Sequence, residues 1–499
     1  MPVTRTETPD FASTQVEAPE SVLQTMGAPV LLLALFLFFS HLQDYLSSLH
    51  LPLLLLTTCL LAAVVSGGLY SALVESRIGR CLTILTLSFV GSVAFSVWKG
   101  GSFHIFTDQW LKSYAIYTIL AALLTTTTKL VRAMWASVLG IFVTAFSALF
   151  LGKIESGRLG TVAWQETYAD PNDLAQILII GSCLACAILC RKKTGWMGRA
   201  AILVVLPVMC LAGAKTGSRG GLIGAMVVLA VLFFQSSAGG KFRMVLACSV
   251  VAVVAITMLP GRILNRYLSI LGSSSAEQQL SSAETGSVEG RRYLLTQSLY
   301  VTAQHPLFGV GLGMFMNAED TIARSAGMVH GSWHETHNMY TQVSSEAGLP
   351  AVIFFIGAFL YGFKNLNSVC RAAKRSRDPV IQDAGTLAFW MRLALVGLAS
   401  TGFFLSVAYT PEPMMLLAMT VCLERVVRTR MATAPMATVP IMARVQAQAP
   451  VVLAPVALRR NVQFSSAAVA NRAETHRAMS KDSAQVRTVS TIRKSRGPS

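Results

Sequence analysis

Ala133–Gly152 reads AMWASVLGIFVTAFSALFLG, twenty residues without a charged side chain, closed off by Arg132 on one side and Lys153 on the other. A helix of that length rises about 30 Å, the thickness of the hydrocarbon core of a bilayer. Working outward, Pro29 to Phe39, Leu51 to Val65, Cys81 to Val97 and Phe242 to Leu259 repeat the pattern. The 499-residue chain is 53% hydrophobic and 13% charged, a balance that excludes an ordinary soluble domain. Charged and Gly/Pro-rich breaks divide it into spans at 28–45, 51–74, 81–98, 111–128, 133–152, 173–190, 200–215, 220–235, 242–260, 348–363, 387–409 and 411–427, about twelve in all. The expected fold class is all-α, a polytopic integral membrane protein with one large outer loop between the ninth and tenth spans.

Lys and Arg set the orientation, because short inner loops retain the positive charge. Arg77/Arg80, Lys129/Arg132, the Arg191 to Arg199 group, Lys241/Arg243 and Lys364 to Arg377 fall in every second loop, which puts both termini inside. The expected organisation is an inner N-terminal segment 1–27, a first bundle 28–152, a core 153–362 that includes the outer loop 261–347, C-terminal spans 363–427 and a basic tail 428–499. Glu7, Asp10, Glu17 and Glu20 replace the basic start of a signal peptide, so the first apolar run is expected to stay as an anchor. The nine cysteines lie in spans or inner loops, which argues against a disulfide framework, and Cys183-x-x-Cys186 reads as helix packing. From Glu424 onward the chain carries 13 Lys/Arg against 3 acids, 13 − 3 = +10 of the total +17. That tail lacks the aromatic interleaving of a nucleic-acid module and reads as a disordered segment beside anionic membrane lipids, with no nucleic-acid partner.

With that topology, chemistry belongs in three polar outer segments: Gly152 to Asp173, Ala214 to Gly221 and Gly261 to Gly348. The turn Lys215-Thr-Gly-Ser-Arg219-Gly-Gly221 sets a guanidinium at the membrane boundary beside glycines that admit a ligand close to the backbone. Arg219 could equally snorkel to headgroups. A helix is expected over Gly290 to Thr302, headed by Arg291 and Arg292. The glycines of His305-Pro-Leu-Phe-Gly309-Val-Gly311-Leu-Gly313 have no strand before them and no βαβ unit, so a dinucleotide site is rejected in favour of a re-entrant turn. His330-Gly-Ser-Trp-His334-Glu-Thr-His337-Asn-Met-Tyr340 is the densest chemistry, and a histidine there suits a general base for a sugar hydroxyl. His330, His334 and His337 would line one helical face as metal ligands, but glycine and serine between them oppose that helix, and no metal is expected. Glu346 could equally be an acid favoured at a helix N-terminus.

Taken in order, these pieces resemble the O-antigen ligase/polymerase family of bacterial membrane glycan enzymes. Thr216-Gly-Ser218-Arg219-Gly220-Gly221 is similar to the family's S-R-G turn, Gly290-Arg291 to its G-R helix start, and Pro306-x-x-Gly309-x-Gly311 to its P-x-x-G-x-G. His337-Asn338-x-Tyr340 and Glu346-x-Gly348 are similar to its H-N-x-Y and E-x-G elements, and Pro171-Asn172 to its P-N, with Arg158 as the preceding arginine. The resemblance covers roughly residues 155 to 362. It implies cofactor-free, metal-independent transfer of a glycan from an undecaprenyl-diphosphate carrier at the periplasmic face of the bacterial inner membrane. Arg219 and Arg291 would hold the diphosphate and His337 would take the acceptor proton, as catalytic residues. Asn338, Tyr340, Ser218, Gly220, Arg158, Asn172, Arg292, His334 and Glu346 would bind substrate. Arg292 beside Arg291 leaves the functional arginine ambiguous by one position, and Leu295 and His334 depart from the family pattern.

Acceptors consistent with this reading are a second lipid-linked glycan, lipid A core or a protein, so a polymerase shares every catalytic group with a ligase. A transporter of lipid-linked substrates would instead place ionisable residues within broken, repeated spans, and the chain shows no internal repeat.

Overall fold

The computed structural model describes residues 22–45, 51–152, 154–155, 158–161, 170–268 and 282–433. The expectations for 1–21, for the start of the outer loop at 269–281 and for the tail beyond Thr433 lie outside the described residues. The secondary-structure elements of the described part are helices, apart from one two-stranded turn, Ile154–Glu155 against Arg158–Leu159.

Local chemistry fixes the helix starts. Thr126, Ser218 and Asn338 each turn a side-chain oxygen onto the first free amides of the helix that follows. Asp170 and Asp378 do the same ahead of Pro171 and Pro379, which sit where a missing N–H costs nothing.

Six helices are long and apolar enough to cross a membrane: Arg77–Ala94, Thr127–Leu151, Pro171–Leu189, Trp196–Lys215, Met339–Arg375 and Pro379–Thr401. The twelve expected spans overlap helices, some only in part, and the differences have local causes. The span expected at 51–74 breaks at Gly67, whose φ of 67° is left-handed, and Leu51–Val65 meets Gly68–Glu75 at 97°. The span expected at 111–128 stops at Leu123 and continues backward through a π turn at Phe106–Trp110 into Lys99–Ile105. Arg219–Gln235 is apolar but has 17 residues. The described residues of the segment expected as the outer loop contain three helices, Gly261–Leu268, Ser282–Gln304 and Phe315–Ser325, and the expected helix at 290–302 begins eight residues early.

Small residues let the helices approach. A Cβ on Gly181 would stand 2.4 Å from Met209, on Gly224 2.4 Å from Thr401, and on Gly385 2.2 Å from Ala373. Trp110, Tyr117, Phe89 and Phe355 fill the interior. At the far end of the Pro171–Leu189 helix Arg191 donates two bonds, of 2.9 and 2.7 Å, to buried Asp383, a bidentate clamp between two spans.

Candidate active site

Three segments distant in sequence meet at Asn172. Its Oδ1 accepts from Arg158 Nη2 at 3.0 Å and from Ser218 Oγ at 2.7 Å, while its Nδ2 donates to Asp170 at 2.8 Å. Arg158 also donates to the carbonyl of Thr216 at 3.1 Å. The P-N, the S-R-G turn and the preceding arginine are therefore one hydrogen-bonded unit, and Ser218 is both a helix cap and a member of that unit. Gly217 turns through a φ of 60° and its carbonyl accepts from Arg266 at 2.9 Å; Tyr267 reaches Ala214. Gly220, expected to admit substrate, instead packs on Phe404, where a Cβ would come within 2.9 Å.

Arg291 and Arg292 differ in their surroundings. Arg291 lies partly buried within electrostatic range of Arg219 and Arg266, whereas Arg292 is exposed. Burial, then the charges of Arg219 and Arg266, lower the Arg291 pKa, and Asp170 opposes them. Burial and the charges of Arg266 and Arg291 likewise bring Arg158 down to about 10, which still leaves it cationic at neutral pH. Arg158, Arg219 and Arg266 thus all lie within electrostatic range of Arg291, and Asp170 acts on both Arg158 and Arg291.

His337 stands beside this cluster, with Arg291, Asp170 and His334 all acting on its charge. Its φ of 47° is left-handed, and Ser406 Oγ holds the turn by accepting its amide at 2.9 Å. A non-glycine residue held in that region is strained by about 1–3 kcal/mol and is characteristic of functional turns. Burial, then Arg291, lowers the imidazole pKa below its ordinary 6.5, which favours the neutral ring, the form able to accept a proton. His334 lies 6.2 Å away, ring to ring.

A cavity of about 660 Å³ opens at His337. Its walls are apolar, with Phe38, Leu55 and Ile119 among them, and its polar end holds Asp170, Asp173 and Glu335. The site thus has a cationic flank and an amphipathic chamber, with the imidazole between them.

The remaining motif residues are framework. Asn338 gives its Oδ1 to the amides of Tyr340 and Thr341, and the Tyr340 hydroxyl donates to Ala399 at 2.9 Å. Buried Glu346 accepts from the Gly313 amide at 2.8 Å and the Tyr409 hydroxyl at 2.7 Å. This corrects the expectation that it binds substrate, and equally the helix N-terminal reading. Gly348, at φ 85°, breaks the Met339–Arg375 helix, and the glycine loop docks there: Val310 to Ser345, Gly311 to Glu346 and Leu349 to Pro306, all backbone bonds. Cβ atoms on Gly309 and Gly348 would stand 2.2 and 2.4 Å from the opposing backbone. The P-x-x-G-x-G and E-x-G elements are two halves of one joint rather than a turn at the membrane surface.

The three histidines do not share one helical face. Residues 328–337 are not helical, and His330 Nδ1 faces the Gly331 carbonyl at 2.6 Å. Among the described residues no three His, Cys, Asp or Glu side chains converge as a metal site. Sequence reasoning passed over Arg266, Glu335 and Ser406; Arg266 had a signal, a cation and an aromatic side by side in a short polar helix beside the S-R-G turn.

A family model described as O-Antigen ligase matches residues 204–356. That stretch contains the S-R-G turn, Arg266, Arg291, the glycine joint and His337, but not Arg158 or Asn172. No curated protein matches the chain. The resemblance drawn from the motifs holds over that stretch: the chain carries an O-antigen ligase domain, and with several helices long and apolar enough to cross a membrane this supports an O-antigen ligase-type membrane glycan enzyme.

Proposed function

We propose that this protein transfers a glycan from an undecaprenyl-diphosphate carrier to an acceptor hydroxyl at the periplasmic face of the inner membrane, without a metal, its chain crossing that membrane in about twelve spans. What supports this reading is a histidine in a left-handed turn that lines an amphipathic chamber and lies within range of Arg291, around which Arg158, Arg219 and Arg266 are grouped. Arg219 and Arg291, with Arg158 and Arg266, hold the diphosphate. The acceptor oxygen attacks the anomeric carbon and its proton passes to His337. The bond between that carbon and the diphosphate oxygen breaks, and the carrier diphosphate leaves with the electron pair. Negative charge grows on that oxygen as the bond breaks, so fixed guanidinium groups favour the transition state over the bound substrate.

The test is complementation at matched expression in a strain lacking its own surface-glycan ligase, with lipopolysaccharide resolved on a gel. A restored ladder that disappears with His337→Ala or Arg291→Ala supports the ligase. Rescue confined to a polymerase-deficient strain makes the same site a polymerase. Full activity of both variants in a responding strain overturns the mechanism.

A further inference from the structure

The Met339–Arg375 helix that begins at the active site ends in a second open cavity, of about 520 Å³. At 1.5 Å per residue, Lys364 to Lys374 lie about 24 to 39 Å along the helix beyond its break at Gly348, toward the end away from His337. Leu360, Phe363, Lys364, Arg371 and Lys374 line it at spacings that put them on one helix face, and Arg392 of the Pro379–Thr401 helix closes it. The stripe changes from apolar to cationic along its length. No acid lines it, and among the described residues none of the four cations makes an ion pair.

Arg392 is the telling residue. It sits on an apolar span, where an ionisable side chain needs a reason. Its Nη1 donates to Asn367 at 2.6 Å and its Nη2 to Gln235, both neutral amides, while its buried Nε has no hydrogen-bond partner. Lys374, in the last turn, also suits the negative end of the helix dipole. Lys364 and Arg392 lie too far from that end to be explained so. Four cations around one cleft, with only neutral partners, are complementary to an anion. The chain's own tail, net +10 from Glu424, would be repelled. Leu360 is 62% exposed and extends the cleft into the apolar belt, which fits acyl chains and not a free ion.

We propose that this cleft binds an anionic phospholipid, its phosphodiester held by Lys364, Arg371, Lys374 and Arg392 and its chains lying along Leu360 and Phe363. The full-length protein in neutral detergent is titrated with phosphatidylglycerol or cardiolipin, against phosphatidylcholine of equal chain length, and retained lipid is counted by native mass spectrometry. Each cation near a charged headgroup strengthens binding by about fivefold. The variant Lys364→Gln/Arg371→Gln/Lys374→Gln, confined to exposed positions, is therefore expected to retain anionic lipid about 100-fold more weakly. If that variant does not fold, wild type decides: a thermal midpoint raised by anionic lipid and not by phosphatidylcholine supports the site. Equal retention of the two lipid classes by wild type, unchanged retention by the folded variant, or displacement of the lipid by an equal concentration of inorganic phosphate would each overturn it.

Discussion

Asn172→Leu removes the acceptor that joins the arginine cluster to the S-R-G turn while keeping the side chain's size. In the native protein that oxygen receives a charged donor, Arg158 Nη2 at 3.0 Å, and a neutral one, Ser218 Oγ at 2.7 Å. A hydrogen bond from a charged group is worth about 1.5–3 kcal/mol and a neutral one about 1 kcal/mol, so the loss is about 3 kcal/mol. Arg158 keeps the Thr216 carbonyl but no longer has a side chain to fix its plane. If the loss falls on the transition state, kcat/KM drops about 100-fold. Asn172→Asp separates positioning from charge. It retains an oxygen for Arg158 and Ser218 but exchanges the Nδ2 donor for a second carboxylate against Asp170, to which Nδ2 now donates at 2.8 Å. The assay is glycan transfer by purified protein from a lipid-diphosphate donor, with thermal unfolding in detergent run beside it. Asn172→Leu with native transfer and a native midpoint would refute the claim that this network positions the cluster.

Transfer should fall on acidification as His337 takes up a proton, through a pKa below 6.5. Because the unfolded chain protonates first, that group also weakens folding as pH falls through 6.5; Arg291→Gln, which removes a charge acting on the ring, should move the acid limb of the pH–rate profile upward. Arg291→Gln should cost about 100-fold in rate, as loss of a transition-state donor does, whereas exposed Arg292→Gln should stay within about threefold in the same assay. Gly348→Ala should lower the unfolding midpoint markedly, since its Cβ would lie 2.4 Å from the Leu307 carbonyl at a φ of 85°, with left-handed strain of about 1–2 kcal/mol added. Gly357→Ala is the control, because its Cβ would meet only Cys81 Sγ at 3.5 Å, and an equal effect of the two would show that the joint is not what Gly348 serves.

What the amino-acid order determined by itself is what depends on short-range rules. Runs such as Ala133–Gly152 specify helices because a backbone in lipid must satisfy its own hydrogen bonds. Asp170-Pro171 and Asp378-Pro379 specify where helices begin, because the cap and the missing amide act within one turn. Arg219, Arg291 and His337 were legible as chemistry because their order matched a family's order. Tertiary structure alone decided which motif residues have their polar atoms and close contacts taken up within the protein. Asn338, Tyr340, Gly220 and Glu346 sit in the same motifs as the reactive groups, yet their polar atoms or close contacts are taken up by Thr341, Ala399, Phe404 and Tyr409, partners up to 184 residues away in the case of Gly220. Arg266 joined the site for the same reason in reverse. No local pattern can show that its guanidinium reaches Gly217, because that contact exists only when two helices 49 residues apart in sequence pack side by side.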